Sequence, residues 1–291
     1  MINKKFILGT VQLGLEYGIN NQLGKPSKEL AFEILKTAYE NNVLYLDTAA
    51  AYGDSEQVIG DFHKEQGNIF GICTKLIVAD DDVERITDII DDAIKRLQIE
   101  KIDILYFHRF EQAKNNVIVQ KIIEAKKQKK IDKIGISIYE PAELEYILDN
   151  LYGVVEVIQI PYNILDSVRW DSLIEKCHKA NFEIYGRSAY LQGLLFKSDN
   201  DAFIRKMQAQ KYVVYVKHYA EKKCVTIAQL LIDYCKKSNL DGIVIGCESV
   251  QQLKDNLEVW RTENCLDDED VQIIKEHSKN IPIEIIDPRR W

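Results

Sequence analysis

The sequence predicts a single (β/α)8 barrel, a TIM barrel, over residues 1–291, and three observations carry that expectation. Eight short apolar runs alternate with longer amphipathic ones. The short runs are continuously apolar rather than alternating, as strands of a parallel sheet buried on both faces are. The units fill about 250 residues, the usual size of a closed barrel. A doubly wound open sheet is the alternative. It normally carries a G-x-G-x-x-G loop after its first strand. Here Gly9-Thr10-Val11-Gln12-Leu13-Gly14 supplies glycines without that spacing.

The strand-like runs are 6–9, 43–46, 69–73, 102–107, 133–136, 154–158, 182–185 and 242–245. Helical patterns follow them at 28–40, 81–97, 116–129, 141–148, 171–180, 226–237 and 249–259. The first of these starts at a Ser27 cap after Pro26. Another helical pattern opens at Ser55-Glu56. Five prolines and no low-complexity linker leave no sign of a domain boundary. Two segments, 10–27 and 187–207, are longer than simple connections. They follow the first and seventh strands, so they are expected to overhang the C-terminal mouth, where barrels keep their active sites. The tail, 281–291, is apolar with a basic, aromatic end and is expected to dock.

A formal charge of −8 with both signs interspersed argues against nucleic acid or an anionic membrane as the main partner. The basic run 126–130 reads as a solvated helix end that suits the helix dipole. The N-terminus has no secretory pattern, and no stretch approaches the ~20 apolar residues of a membrane span. Six cysteines show no C-x-x-C pair and no metal-ligand spacing. The expectation is a cytoplasmic protein with reduced thiols and no metal.

The candidate site begins at Asp47, where an apolar run ends abruptly in an acid. A buried acid is costly without a partner or a task. Tyr52 follows on the same loop, Lys75 ends the next strand pattern, and His108 ends the one after. Adjacent strand ends of a barrel converge on one mouth, so these four side chains meet there. A phenol titrates near 10, too high for ready proton transfer, and a nearby ammonium is expected to lower it. The carboxylate compensates the buried ammonium, and the imidazole orients a carbonyl oxygen beside the phenol. Such a set polarises a carbonyl and protonates the developing alkoxide. It supplies no hydride, so a cofactor is required.

These residues resemble the aldo-keto reductase superfamily over essentially the whole chain. Asp47 to Glu56 reads D-T-A-x-x-Y-G-x-S-E, a specific signature. Further matches are Leu8-Gly9-Thr10, Cys73-Thr74-Lys75, the run from Asp103 to His108, Lys133 to Ser137, Gln159 to Asn163, Ser188 to Leu195, and Gly246 to Asn256. The resemblance implies reduction of an aldehyde or ketone by a nicotinamide cofactor, with Asp47, Tyr52, Lys75 and His108 as the catalytic tetrad. It implies that Gly9, Thr10, Ser137, Gln159 and Arg187 face the nicotinamide end. The pyrophosphate then lies against Ser188, Leu191 and Gly193. The adenosine lies near Gly246, Glu248, Gln252, Asp255 and Asn256.

Three departures from the family pattern bear on specificity. Ile138 stands where the family often has asparagine. Arg187 stands where an aromatic often stacks on the nicotinamide; a guanidinium stacks in its place or pairs with an anionic substrate. Cys247-Glu248-Ser249 lacks the basic residue of members that favour NADPH, and an acid there repels a 2′-phosphate. The resemblance favours NADP(H), and Glu248 keeps NAD(H) open. The family's N-terminal hairpin, which closes the barrel bottom, is trimmed here, and the C-terminal region is a candidate cover for that end. Tyr17, Tyr190 and Trp291 suggest a polar substrate, a sugar or nucleotide-sugar carbonyl, because aromatic faces pack on sugar rings. The alternative is a cofactor-binding regulatory or partner subunit with little turnover. A barrel isomerase or lyase without nicotinamide is the third reading.

Overall fold

The structure is a computed structural model and describes residues 4–78 and 82–291. Eight parallel strands close into a barrel: β1 (Lys5–Gly9), β2 (Tyr45–Asp47), β3 (Gly71–Leu76), β4 (Ile102–Phe107), β5 (Ile131–Ser137), β6 (Val157–Pro161), β7 (Glu183–Arg187) and β8 (Gly242–Gly246). β1 pairs with β2 and with β8, which completes the ring. The expected apolar runs all become strands, with ends shifted by a few residues. The largest shifts are of three residues: β6 begins and ends three residues later than the run 154–158, and β3 ends three residues beyond the run 69–73. Helix Lys28–Glu40 coincides with its pattern, and Ser27 accepts from Leu30 N as expected. The pattern 81–97 becomes a 3₁₀ turn, Val83–Arg85, and a helix, Ile86–Leu97. Its first residue, Asp81, lies outside the described residues.

Strand parity explains the core and the site together. Side chains two apart share a face. Ile7, Cys73, Ile104, Tyr106, Val157 and Tyr185 form an inner cluster within the barrel. Their neighbours Leu8, Ile72, Leu105, Phe107, Ile158 and Ile184 belong to the outer core. One step of two beyond the inner residues reaches Gly9, Lys75, His108, Gln159 and Arg187. The same step from Tyr45 reaches Asp47. Register agrees, because Gly9 lies opposite both Asp47 and Gly246, and Ser137 opposite Gln159. The site is thus the topmost inward layer of the barrel.

The bottom is closed by polar residues. Lys5 Nζ donates to Glu183 at 3.0 Å and to the Tyr185 hydroxyl at 2.7 Å. Lys133 also pairs with Glu183. Burial opposes the Glu183 charge, but the hydrogen bonds from Lys133, Tyr185 and Lys5 hold its pKa down at about 2. The C-terminal tail, considered above as a cover for this end, docks at the mouth instead. Arg289 Cζ lies 3.6 Å from the centroid of Tyr139, just past the upper end of β5. The side chains of Ile285 and Ile286 are buried, which explains why an apolar tail docks.

The basic run 126–130 is partly compensated rather than merely solvated: Lys126 pairs with Glu156 and Lys130 with Asp91. Among the described residues no helix is long and apolar enough to cross a membrane. None of the six cysteines is paired; four are buried and Cys224 is exposed.

Candidate active site

The segment that carries Tyr52 is stapled at its base. Ser55 Oγ donates to Thr10 O and contacts Thr10 Oγ1, both at 2.9 Å, and lies 3.1 Å from Thr48 Oγ1. The Glu56 carboxylate accepts from Thr74 Oγ1 at 2.6 Å and from Arg96 at 2.6 and 2.8 Å. Ser55 and Glu56 therefore lock the β2 loop to β1 and β3. The turn itself needs glycine. Gly53 adopts φ +57°, and a Cβ on Gly14 would lie 1.8 Å from Tyr52 O. This close approach of two backbones fixes the turn that carries Tyr52 to the cavity wall.

Beneath it, Lys75 Nζ donates to Asp47 Oδ1 at 2.5 Å and to Thr48 O at 3.0 Å. Both side chains are almost completely buried, at 2% and 5% exposure. Gln159 Nε2 donates to the other Asp47 oxygen at 2.7 Å. Asp47 thus has both oxygens satisfied, as a buried carboxylate requires. Lys75 Nζ sits 5.0 Å from the Tyr52 ring centroid. Burial alone would lower the Lys75 pKa, but the negative charge of Asp47 and the neighbouring Tyr52 raise it on balance. The ammonium therefore stays charged at neutral pH.

The Tyr52 pKa departs from the sequence expectation. Burial raises it, and this outweighs the lowering by Lys75, with Asp47 adding to the rise. The phenol is a protonated acid at neutral pH, and Lys75 moderates the shift instead of reversing it. His108 moves the other way. Burial, then the charges of Lys75, Arg187 and Arg109, bring its pKa down to about 4. Its imidazole is neutral above that range, and Nδ1 has no partner among the described residues.

These groups line one end of a cavity of about 330 Å³. Tyr17, Tyr139, Ser137 and Arg187 share that end; the other end runs along Gly246, Glu248, Gln252, Asp255 and Asn256. The two long loops meet above it. Ile19 N donates to Gln192 O at 3.0 Å. Gly193, at φ +88°, comes so close that a Cβ there would sit 2.7 Å from that of Asn20. Ser188, Leu191 and Gln192 also take left-handed backbone, which winds the β7 loop around the cavity wall.

Most sequence-selected residues line this cavity: Gly9, Thr10, Ser137, Arg187, Ser188, Leu191, Gly193, Gly246, Glu248, Gln252, Asp255 and Asn256. Gln159 lies behind the wall, fully buried, with Oε1 lacking a partner among the described residues. Tyr190 is turned toward the far end, where its hydroxyl donates to Asn256 at 2.5 Å. Trp291 lies outside the cavity, packed on Phe203 with Nε1 donating to Glu284 O. Sequence reasoning missed Tyr139, Gln12 and Arg289. Gln12 packs against Gly246, so close that a Cβ there would meet its Oε1 at 2.7 Å. Tyr139 is found only through strand parity, since it sits two residues beyond Ser137.

The Aldo/keto reductase family model matches residues 5–279. The chain belongs to that family. It is 25% identical over 258 residues to an aldo-keto reductase of Strobilurus tenacellus, covering 79% of this chain and 76% of the relative. It is 25% identical over 260 residues to the L-galactose dehydrogenase of Arabidopsis thaliana, covering 82% and 80%. Among solved structures, an aldo-keto reductase from Bacillus halodurans in its holo form superposes with a TM-score of 0.75 at 19% identity. It covers 94% of this chain and 91% of that one. That likeness shows the fold. Family membership makes the protein an oxidoreductase of carbonyl compounds from a family that uses nicotinamide cofactors. Among the described residues no group of three His, Cys, Asp or Glu side chains could hold a metal ion.

Proposed function

We propose that the chain reduces an aldehyde or ketone with a nicotinamide cofactor, using Tyr52 as the general acid. The observation that carries this is the buried Lys75–Asp47 pair, 2.5 Å apart, beneath a phenol at the end of an open cavity. A buried ion pair adds little stability over apolar packing, so its placement here fits a catalytic use.

The residues present fit the cofactor. Ser137 lines the cavity with a hydroxyl suited to a carboxamide, and Gln159, opposite it in the register, has an Oε1 without a partner among the described residues just behind that wall. The β7 loop bares left-handed backbone along the cavity, a shape that suits phosphate oxygens. When bound, the cofactor supplies the hydride. The chain's own groups do the rest. His108, neutral, orients the carbonyl oxygen by a hydrogen bond. Tyr52 releases its proton to that oxygen as negative charge develops. Lys75 stabilises the phenolate left behind, Asp47 fixes Lys75, and Gln159 fixes Asp47.

The far end of the cavity bears on the cofactor preference. Its lining there includes Glu248 and Asp255 and no lysine or arginine. Ser249, not Glu248, caps the following helix, accepting from Gln252 N. Burial raises the Glu248 pKa above the ordinary carboxylate value. This lining supports NADH over the NADPH that the sequence resemblance implies, because a 2′-phosphate would meet acids and no cation. Glu248→Lys is expected to tighten NADPH relative to NADH by about 30-fold, since like charges 4 Å apart cost about 1 kcal/mol in water and reversing the sign changes the interaction by about 2 kcal/mol. Dissociation constants for both cofactors, from tryptophan fluorescence, check this. An unchanged ratio removes Glu248 from the ribose site. Aldehyde-dependent oxidation of NADH tests the activity itself.

A further inference from the structure

Arg187 is the surplus charge of the reacting end. It closes β7 on the inward face, two residues beyond the inner-core Tyr185, and lines the cavity with Tyr52 and His108. Its hydrogen bonds go only to neutral oxygens: Ser137 Oγ at 3.3 Å, Ile138 O at 3.1 Å and Ser188 Oγ at 3.5 Å. The acids around it already have cations. Asp47 holds Lys75. Asp166 accepts from Arg169 at 2.6 and 2.8 Å, and Glu140 also pairs with Arg169. Among the described residues no carboxylate pairs with Arg187.

Its position is also fixed. Arg187 Cζ lies 4.0 Å from the Tyr139 ring centroid, and Arg289 Cζ lies 3.6 Å from the same centroid. Two guanidinium groups at those distances would overlap if they shared one face, so they take opposite faces. Arg289 is itself neutralised by Asp287, with contacts of 2.6 and 2.9 Å. The docked tail therefore braces Arg187 through Tyr139 without compensating its charge.

We infer that Arg187 makes the cavity selective for a carbonyl substrate that also carries a carboxylate, with Tyr139 and Arg289 as positioning residues. This rests on the carbonyl-reduction reading above. An unpaired charge in a half-buried site is unfavourable, and a ligand that brings the opposite charge relieves it. The guanidinium offers a planar fork that takes a carboxylate in two parallel hydrogen bonds. The neutral His108 adds no competing cation above pH of about 4.

The test compares 4-formylbenzoate with 4-formylbenzamide, which match in shape and differ in charge. The wild type is expected to favour the carboxylate in kcat/KM by about 10–100-fold, the range that charge-assisted hydrogen bonds give. Arg187→Met is expected to bring that ratio to about one, and Arg187→Lys to retain part of it. Arg289→Ala is expected to raise KM for the carboxylate more than it lowers kcat. Cofactor dissociation constants measured in the same variants separate a loss of cofactor from a loss of selectivity. A wild-type ratio near one, or a ratio that Arg187→Met leaves unchanged, overturns the inference. If neither aldehyde is reduced, these two compounds are not substrates, and the carbonyl-reduction reading is judged on other aldehydes and ketones. Calorimetry with benzoate and benzamide on the cofactor-loaded protein then decides the inference. Preferential benzoate binding that Arg187→Met abolishes sustains it, and equal binding overturns it.

Discussion

Tyr52→Phe is expected to lower turnover about 10²–10⁴-fold while cofactor affinity changes little, because that is what a positioned general acid contributes. Phenylalanine keeps the ring that Lys75 Nζ approaches at 5.0 Å. It keeps the Gly14–Tyr52 backbone contact as well, so the fold has no reason to respond. Only the transferable proton is lost. Burial holds the wild-type phenol protonated, so reduction is expected to stay fast across neutral pH. Near-normal turnover in the variant would assign the proton to another donor.

Lys75→Met is expected to be as damaging to turnover and also to destabilise the protein. The ammonium and Asp47 are both buried. Removing one partner leaves the other uncompensated, at a cost of typically ~3–5 kcal/mol. Gln159 still donates to one Asp47 oxygen, which lessens the loss without supplying a charge. The phenol also loses the cation that moderates its pKa. Alcohol oxidation, which needs the phenolate, is therefore expected to shift to higher pH in any activity that survives. Thermal or denaturant unfolding measures the first effect, and the pH dependence of alcohol oxidation the second. An unchanged pH profile would uncouple Lys75 from Tyr52.

The barrel was legible in the sequence because parallel strands buried on two faces must be continuously apolar. Strand ends were less legible. β3 continues through the polar pair Thr74-Lys75, which an apolar-run criterion stops short of. Hydropathy cannot show that Thr74 satisfies Glu56 or that Lys75 satisfies Asp47. The same limit hid the barrel bottom. Lys5, Lys133 and Glu183 lie on three separate strands, and only closure of the ring brings them together.

The tetrad was legible because Asp47, Lys75 and His108 end consecutive strand patterns and Tyr52 follows on the loop after the first of them. The far wall was reached only through the family resemblance, and the direction of its loop side chains was not legible, since loop residues carry no parity. Tyr190 turns to Asn256 because the β7 loop winds through left-handed conformations at Ser188, Leu191 and Gln192. None of these three residues is glycine, so nothing in their identity announces the winding. Trp291 is held by Phe203 and a tail carbonyl, a docking site visible only in three dimensions. The direction of the Tyr52 shift was also beyond the sequence. It depends on how much burial opposes Lys75, and burial is a property of the closed mouth.

The most direct test of the central claim is transfer of label from cofactor to product. NADH deuterated at the nicotinamide C4 is incubated with the wild type and 4-formylbenzoate, and the alcohol formed is weighed by mass spectrometry. One deuterium is expected on the new carbinol carbon when the transferred position is labelled, and none when only the opposite face is labelled. Tyr52→Phe is expected to slow this transfer without redirecting it. Alcohol formed without deuterium from either labelled face, or no cofactor-dependent reduction of any aldehyde or ketone, would contradict the claim.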